Sequence, residues 1–403
     1  MEDIMNAREV LKNVWWVGAV DWDINDFHGY WLHEGTTYNA YIVKGSEKTV
    51  LFDTVKKTHT KELINNIKSV MNPEDIDILV ISHVEPDHSG SYRAIVDLIK
   101  PEKIITTKAG AMELEKYYGK VDVPFQIIKT MDTESIGDMT LTFIETRMVH
   151  WPDSMFTYIP EIKSLISQDG FGEHWATSER FDDEVDYNKL MEHCKKYYAN
   201  ILPLYSPMIA KTLKSVVDMG IEIDVILPDH GIIWRKYVKD ILAKYTEWTS
   251  MAKSDKAVVI YDTMWGTTYE VAERIAAGLT DGGLSCKVYK TTAHHRSDIA
   301  TECLDAKAIV VGSPTLNNGI MPSVADVLCY IKGLKMTGKV AGAFGGYGWS
   351  GESVKILRES LEEMKYDFVG EGLKIMYKAS EDELQKAYEY GKEIAEKVMN
   401  NAL

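Results

Sequence analysis

Four potential metal ligands stand within six residues of the chain, directly after an apolar strand. His83, Glu85, Asp87 and His88 follow the run Ile76–Ile81, which is apolar except for Asp77, and the sequence that carries them reads HVEPDH. Side chains that follow a strand gather at one edge of a sheet, where loops usually carry the chemistry of a fold. A non-helical loop with this spacing can direct alternate side chains towards two different metal ions. The alternative is a polar turn whose Asp and His only cap the next helix.

Three further candidate ligands each follow another predicted strand. They are His150 after Thr140–Thr146, Asp169 after Ser164–Ser167, and His230 after Val225–Leu227. Taken singly, each is more often an ordinary core or loop residue than a ligand. Seven candidates that all lie just beyond a strand favour a common site. They offer imidazole and carboxylate groups without a thiolate, a set that favours iron, with zinc as the alternative.

From about residue 250 the chain follows a regular alternation of strands and helices. The predicted strands are Ala257–Tyr261, Ser285–Tyr289, Ala308–Val311, Val340–Phe344 and Leu373–Met376. This rhythm fits a doubly wound parallel sheet. The first half mixes hairpins with helices, as at Tyr38–Val43 and Thr49–Phe52, which indicates helices packed outside stacked sheets. We therefore predict two domains, residues 1–253 and 254–403.

Three glycine-containing loops follow strands of this predicted parallel sheet and converge at its carboxyl edge. The first is rich in hydroxyl groups and leads into a helix, which predicts a phosphate cradle of backbone N–H groups and Thr hydroxyls. Glycines let the backbone approach a ligand closely, and the loop aromatics offer flat surfaces to a ring system. No GxGxxG motif follows the first strand, which counts against a dinucleotide-binding domain. The alternative is three surface loops with stray aromatic side chains. The candidate cofactor-binding residues are Thr263, Met264, Trp265, Gly266, Thr267, Thr268, Ser313, Pro314, Thr315, Leu316, Asn317, Asn318, Gly319, Gly346, Tyr347, Gly348, Trp349, Ser350 and Gly351.

Composition excludes several classes of protein. With 45 Lys and Arg against 61 Asp and Glu, the formal net charge is −16, so neither nucleic acid nor an anionic membrane is an expected partner. No apolar stretch reaches the length of about 18 residues that a membrane span needs, and the start of the chain lacks the apolar core of a signal peptide. The four cysteines form no CxxC pair, which argues against a rubredoxin-type iron or a disulfide framework. A cytoplasmic protein with reduced cysteines is expected.

The ligand pattern resembles that of the metallo-β-lactamase superfamily, whose loop usually reads HxHxDH. The variant HxExDH, with Glu85 in place of the second His, is the mark of the flavodiiron proteins. The resemblance covers both domains, and implies an N-terminal metallo-β-lactamase-like αββα sandwich followed by a C-terminal flavodoxin-like doubly wound parallel sheet. It also implies two irons per subunit, bridged by an oxo or hydroxo group. The resemblance assigns His83, Glu85 and His150 to one iron, Asp87, His88 and His230 to the other, and Asp169 to a bridge between them.

The same resemblance implies FMN in the second domain and an oxidoreductase activity. Electrons are expected to enter at FMN, pass to the irons and reduce O2 to water in a four-electron reaction. In the family the FMN of one subunit lies against the diiron site of its partner, so a head-to-tail homodimer, or a homotetramer built from it, is expected. His28 is expected near the gas-binding face, where it could donate a proton; the alternative is an exposed loop histidine.

The electron donor is the least constrained feature. Several stretches are most similar to the methanogen branch, which oxidises reduced coenzyme F-420, and that coenzyme is the expected donor. They are Asp21–Asp23, Phe27–Tyr30, Gly35–Tyr41 and Trp151–Phe156. Because the chain ends directly after the last flavodoxin helix, the donor is expected to be a separate molecule. The alternatives are an NO reductase that forms N2O with rubredoxin as donor, a dinuclear zinc hydrolase fused to a flavodoxin domain, and an electron-transfer module whose first domain only docks a partner.

Overall fold

The structure is a computed structural model and describes residues 7–251 and 253–400. Its chain divides into two compact units. The first is formed by the residues up to His28, Leu32–Tyr198 and Tyr205–Thr246. The second is formed by Gly29–Trp31, Ala199–Leu204 and the residues from Glu247 onwards. The boundary predicted between residues 253 and 254 stays a prediction.

Strands dominate the part of the chain up to residue 228. They are β1 (Arg8–Leu11), β2 (Val14–Trp16), β3 (Ala19–Asp21), β4 (Asp26–Phe27), β5 (Tyr30–Trp31), β6 (Thr36–Tyr38), β7 (Tyr41–Lys44), β8 (Thr49–Phe52), β9 (Ile78–Val80), β10 (Lys103–Thr106), β11 (Phe125–Ile127), β12 (Thr133–Ser135), β13 (Thr140–Glu145), β14 (Met155–Ile159), β15 (Ser164–Gln168) and β16 (Val225–Pro228). The helices up to residue 249 are α1 (Thr60–Val70), α2 (Pro86–Ser89), α3 (Tyr92–Ile99), α4 (Lys108–Tyr118), α5 (Tyr187–Ile201), α6 (Ser206–Asp218) and α7 (Val238–Thr249).

Two sheets of the first unit share one apolar core. One sheet has the order β1-β2-β7-β8-β9-β10-β11 and the other the order β12-β13-β14-β15-β16. Val50 and Ile78 of the first sheet belong to the same buried cluster as Phe143 and Ile166 of the second. Alternate residues of a strand point to opposite faces, so neighbouring residues such as Leu51 pack in a separate cluster with the helices. The predicted sandwich with helices outside its sheets is therefore confirmed.

The second unit is a parallel sheet with helices between its strands. Its remaining strands are β17 (Ser254–Tyr261), β18 (Ser285–Lys290), β19 (Ala306–Gly312), β20 (Val340–Tyr347), β21 (Asp367–Phe368) and β22 (Leu373–Met376). Its remaining helices are α8 (Thr267–Asp281), α9 (Arg296–Cys303), α10 (Pro322–Leu334), α11 (Ser353–Glu363) and α12 (Glu381–Asn400). The order is β18-β17-β19-β20, with β21 and β22 both paired to β20, and every pairing is parallel. This is the flavodoxin-like order, which confirms the predicted doubly wound sheet.

One local prediction needs correction. The single strand predicted over Tyr38–Val43 is two strands, β6 and β7, because Asn39 and Ala40 lie outside the ladders. The buried Asn39 side chain instead donates to the backbone oxygen of Pro228 at 2.7 Å.

The described helices include none that is both long and apolar enough to cross a membrane. No two of the four cysteines form a disulfide.

Candidate functional site

The structure brings all seven predicted ligands together at one end of the sandwich strands in the first unit. They form two groups, and within each group the possible ligand atoms lie within 4.8 Å of one another. One group is His83, Glu85, His150 and Asp169, and the other is Asp87, His88 and His230.

Asp169 contacts both groups through different oxygens. Its Oδ2 lies 2.8 Å from Nε2 of His150, and its Oδ1 lies 3.0 Å from Nε2 of His88. The side chain follows β15, next to His230 after the parallel strand β16. This is the arrangement that a bridging carboxylate requires, and the role itself stays a prediction.

The backbone that presents the first four candidates differs from the expected loop. The expectation of a non-helical loop is wrong for its second half, where Pro86–Ser89 form one helical turn. Pro86 stands at the first helical position, where its fixed φ favours the helix and its missing N–H costs no hydrogen bond. The extended half presents His83 and Glu85 to one group, and the helical turn presents Asp87 and His88 to the other.

Burial and unlike charges set the protonation of these groups. Burial alone would lower the pKa of His88, but the charges of Asp87 and Asp169 outweigh it and raise that pKa to about 10. Burial would raise the pKa of Glu85, yet its hydrogen bonds with His150 and other histidines hold that pKa far below its usual value. Glu85 therefore stays ionised, as a metal-ligating carboxylate must be, whereas His88 must give up its proton before it can bind a metal.

The arrangement of the donor atoms is better explained by two bound metal ions than by hydrogen bonds among the side chains. Nε2 of His88 and Nε2 of His230 lie 3.1 Å apart, a contact between two nitrogens that a shared cation would stabilise. Among the described residues, both carboxylate oxygens of Asp87 and Oδ1 of Asp169 are buried without a hydrogen bond of good geometry. Buried carboxylate oxygens without partners are costly unless an ion binds them. Imidazole and carboxylate donors without a thiolate suit iron.

A second layer of groups orients the histidines. Nδ1 of His83 lies 3.3 Å from Oδ2 of Asp153, and Nδ1 of His230 lies 2.6 Å from the backbone oxygen of Thr37. If each Nδ1 carries the proton and donates it, each Nε2 keeps its lone pair for a ligand bond. Asp229 lies behind the third histidine, His88, with Oδ2 3.8 Å from its Nδ1. Asp153 and Asp229 were not predicted to act at this site, although both stand within three residues of a predicted ligand.

His28 connects the site to solvent. Its side chain is 72% exposed, and its Nε2 lies 3.1 Å from Oε1 of Glu85. The hydrogen bond with Glu85 raises the pKa of His28, so its ring gains a proton more readily than a free histidine. Phe27 packs edge-on against this ring and lies 4.8 Å from the ring of His174. His174 was not among the predicted residues; burial and the neighbouring His230 hold its pKa well below the usual value, so its ring is neutral.

A cavity of about 980 Å³ opens in the second unit where the three predicted loops meet. Most of the candidate cofactor-binding residues line it: Thr263, Met264, Trp265, Thr267, Thr268, Pro314, Thr315, Leu316, Asn317, Asn318, Gly346, Tyr347, Gly348, Trp349 and Ser350. The lining does not include Gly266, Ser313, Gly319 and Gly351. It does include three residues that were not predicted, Glu270, Tyr377 and Lys378.

The residues outside the lining shape the loops instead. Ser313 is buried, and its hydroxyl accepts a hydrogen bond from the backbone N–H of Met321 at 2.9 Å. Gly266 adopts a φ of +99° directly before α8, a left-handed conformation that favours glycine. Trp265 and Trp349 are 95% and 88% exposed, so both rings are available to a flat ligand. The cavity fits the expected flavin, and the binding role of each single residue stays a prediction.

Comparisons with known proteins agree with both halves of this description. A family model described as "ODP family beta lactamase" matches residues 36–231, and a flavodoxin model matches residues 259–391. A nitric oxide reductase of Moorella thermoacetica is 42% identical over 392 residues, which cover 96% of this chain and 98% of that protein.

Solved structures extend the likeness to three dimensions. The rubredoxin oxygen:oxidoreductase of Desulfovibrio gigas matches with a TM-score of 0.95 at 42% identity, over 98% of this chain and 99% of that one. A flavodiiron protein of Giardia intestinalis matches with a TM-score of 0.94 at 35% identity, over 98% and 97% of the two chains. Fold, motif and identity over nearly the whole length lead to one conclusion: this chain is a flavodiiron protein, an oxidoreductase that joins a metallo-β-lactamase-like domain to a flavodoxin domain.

Proposed function

We propose that this protein reduces O2 to water in a four-electron reaction at a diiron site, with electrons entering through FMN. The observation that carries the proposal is the pair of ligand groups that share Asp169 in a member of the flavodiiron family. The name of the Desulfovibrio gigas relative, an oxygen oxidoreductase, supports O2 as the acceptor.

The proposed ligand sets follow the two observed groups. His83, Glu85 and His150 would hold one iron, Asp87, His88 and His230 would hold the other, and Asp169 would contribute an oxygen to each. When bound, the reduced iron pair and the reduced flavin together supply the four electrons that O2 needs.

The residues around the irons hold and orient the reacting groups. Asp153 and the backbone oxygen of Thr37 keep the rings of His83 and His230 turned so that each Nε2 faces the metal pair. His28 bridges solvent and Glu85, so it carries protons at Nε2 towards the site as O2 is reduced. Phe27 contacts the rings of both His28 and His174 and so helps to hold His28 beside Glu85.

The proposed electron donor is reduced coenzyme F-420. It would deliver its electrons at the FMN cavity, beside the exposed rings of Trp265 and Trp349. Rubredoxin is the competing donor, because the Desulfovibrio gigas relative is named for it. The location in the cytoplasm and the head-to-tail homodimer or homotetramer stay predictions.

A second acceptor is favoured by a specific observation. The Moorella thermoacetica relative, at 42% identity over nearly the full chain, is named a nitric oxide reductase. Coupling two NO molecules to N2O needs two electrons and two protons, which the same site can supply. The hydrolase alternative gains no support, since the relatives compared are named as oxidoreductases.

Anaerobic turnover with each gas and each donor tests the proposal. Purified protein is first assayed for iron and flavin, and then for consumption of O2 or NO with reduced F-420 or reduced rubredoxin. We expect about two irons and one flavin per chain and faster reduction of O2 with F-420. Asp87→Ala should remove iron and activity, while Asp97→Ala, on the exposed face of α3, should change neither. A zinc-loaded, colourless and inactive wild-type protein would refute the proposal.

A further inference from the structure

One wall of the cavity in the second unit is formed by residues that were not predicted from the sequence. The segment between β22 and α12 contributes Tyr377 and Lys378 to its lining. The backbone N–H of Tyr377 donates to the oxygen of Tyr347 at 2.8 Å, and its backbone oxygen accepts from the hydroxyl of Thr267 at 2.6 Å. The segment is therefore hydrogen-bonded both to the predicted phosphate loop and to the end of β20.

These bonds change which groups can bind a phosphate. The hydroxyl of Thr267 has one proton and gives it to the oxygen of Tyr377, so it does not also give one to an anion. The backbone N–H of Gly266 donates to Oγ1 of Thr263 at 3.0 Å. Two donors expected in the phosphate cradle are thus occupied within the protein. The remaining donors of this loop are the hydroxyls of Thr263 and Thr268 and the backbone N–H groups at the start of α8, and all of them are neutral.

The charged groups along the cavity indicate that a cationic side chain binds the phosphate. A phosphate monoester carries a charge of about −1.5 to −2 at neutral pH, and Glu270 in the first turn of α8 lines the same cavity. Lys378 is the one cationic side chain among the lining residues. The described part of the chain offers it no ion-pair partner within 4.0 Å, whereas many other exposed lysines are paired. Its backbone follows directly on the Tyr377 carbonyl that binds Thr267.

We propose that Lys378 binds the phosphate group of FMN and so makes the cavity selective for FMN over riboflavin. The inference rests on the proposed FMN site and names the residue that supplies its positive charge. Lysine binds phosphate as a compact point charge on a flexible stem, which suits a group that reaches in from a neighbouring loop.

Flavin titration of the flavin-depleted full-length protein tests this assignment. Quenching of flavin fluorescence gives the dissociation constants for FMN and for riboflavin in wild type, Lys378→Met, Lys378→Arg and the control Lys374→Met. Lys374 is exposed on β22, four residues away, and lies outside the cavity lining. We expect Lys378→Met to weaken FMN roughly tenfold, with a smaller salt dependence, and to leave riboflavin unchanged.

The other variants and outcomes separate this inference from the proposed function. Lys378→Arg should restore most of the FMN affinity, and Lys374→Met should match wild type for both flavins. Equal losses for FMN and riboflavin in Lys378→Met, or no loss at all, would overturn the role of Lys378 while leaving the FMN site intact. Failure of wild type to bind FMN would overturn the proposed FMN site itself.

Discussion

His83 and Asp153 form a buried pair behind the candidate metal centre, with Nδ1 and Oδ2 3.3 Å apart and side chains that are 0% and 1% exposed. Asp153 also accepts a hydrogen bond of 2.6 Å from the backbone N–H of Val84. The carboxylate therefore fixes both the ring of His83 and the start of the segment that carries the candidate ligands. Where a histidine binds a metal, a carboxylate in this position keeps the proton on Nδ1 and increases the basicity of Nε2.

Asp153→Asn should weaken metal binding without unfolding the protein. The amide keeps the size of the side chain but loses the charge that orients His83, a change that typically costs roughly 10- to 100-fold in metal affinity. Iron content after dialysis against a graded series of chelator concentrations measures the effect. Asp122→Asn, on the exposed surface of the same unit, is the matched control. Unchanged iron retention in Asp153→Asn would show that the pair is only structural.

Glu85→His restores the HxHxDH pattern and should change the preferred metal. The substitution removes a hard, anionic oxygen donor and adds an imidazole, which suits zinc at least as well as iron. It also removes the contact of 3.1 Å with His28. Metal analysis of protein produced with equal iron and zinc should show a higher ratio of zinc to iron than in wild type. The idea that Glu85 selects for iron fails if the two ratios are the same.

Gly345→Ala should disturb the flavin cavity. A Cβ at this position would lie 2.2 Å from the backbone oxygen of Ser313, so strand β20 and the segment after β19 would have to separate. We expect a loss of roughly 1–3 kcal/mol in the free energy of unfolding and weaker FMN binding. Gly333→Ala is the control, because its Cβ would meet nothing within 4 Å on helix α10 and should be neutral or stabilising. Urea denaturation and flavin titration of both variants would reveal the contrast, and equal effects would contradict it.

Lys339 should make the stability of the protein depend on pH. Its side chain is buried and donates to the backbone oxygens of Leu304 and Ala306 at 3.2 and 2.8 Å, and burial lowers its pKa to about 7. Between that value and its ordinary 10.5, the unfolded chain binds the proton and the folded chain does not. The free energy of unfolding therefore rises with pH across this window, and the contribution is lost as the pH falls towards 7.

Denaturation at two pH values measures this contribution. The unfolding free energy of wild type should increase by about 2 kcal/mol more than that of Lys339→Met between about pH 7.5 and about pH 9.5. Lys386→Met, exposed on α12, should keep the wild-type dependence. Parallel pH profiles for wild type and Lys339→Met would mean that the buried amine keeps its charge.

Much of the candidate site could be predicted because its signals are local. The apolar run before His83 and the βαβ rhythm after residue 250 each depend on residues that are close in sequence. Burial of one face gives apolar residues a regular spacing that can be recognised in the sequence. The seven candidate ligands were identified in the same way, since each follows such a strand. The helical turn Pro86–Ser89 was missed because four residues carry too little periodicity, although Pro86 marks its start.

The sequence by itself determined most of the strands and helices and the kinds of donor atoms available at their ends. The tertiary structure decided which distant groups meet: Asp153 lies 70 residues from His83, and Tyr377 lies 110 residues from Thr267. Such pairs produce no periodic pattern of residues in the sequence. They form only when the sheets pack and the carboxyl ends of separate strands come to one edge, so their positions follow from packing and not from local propensity.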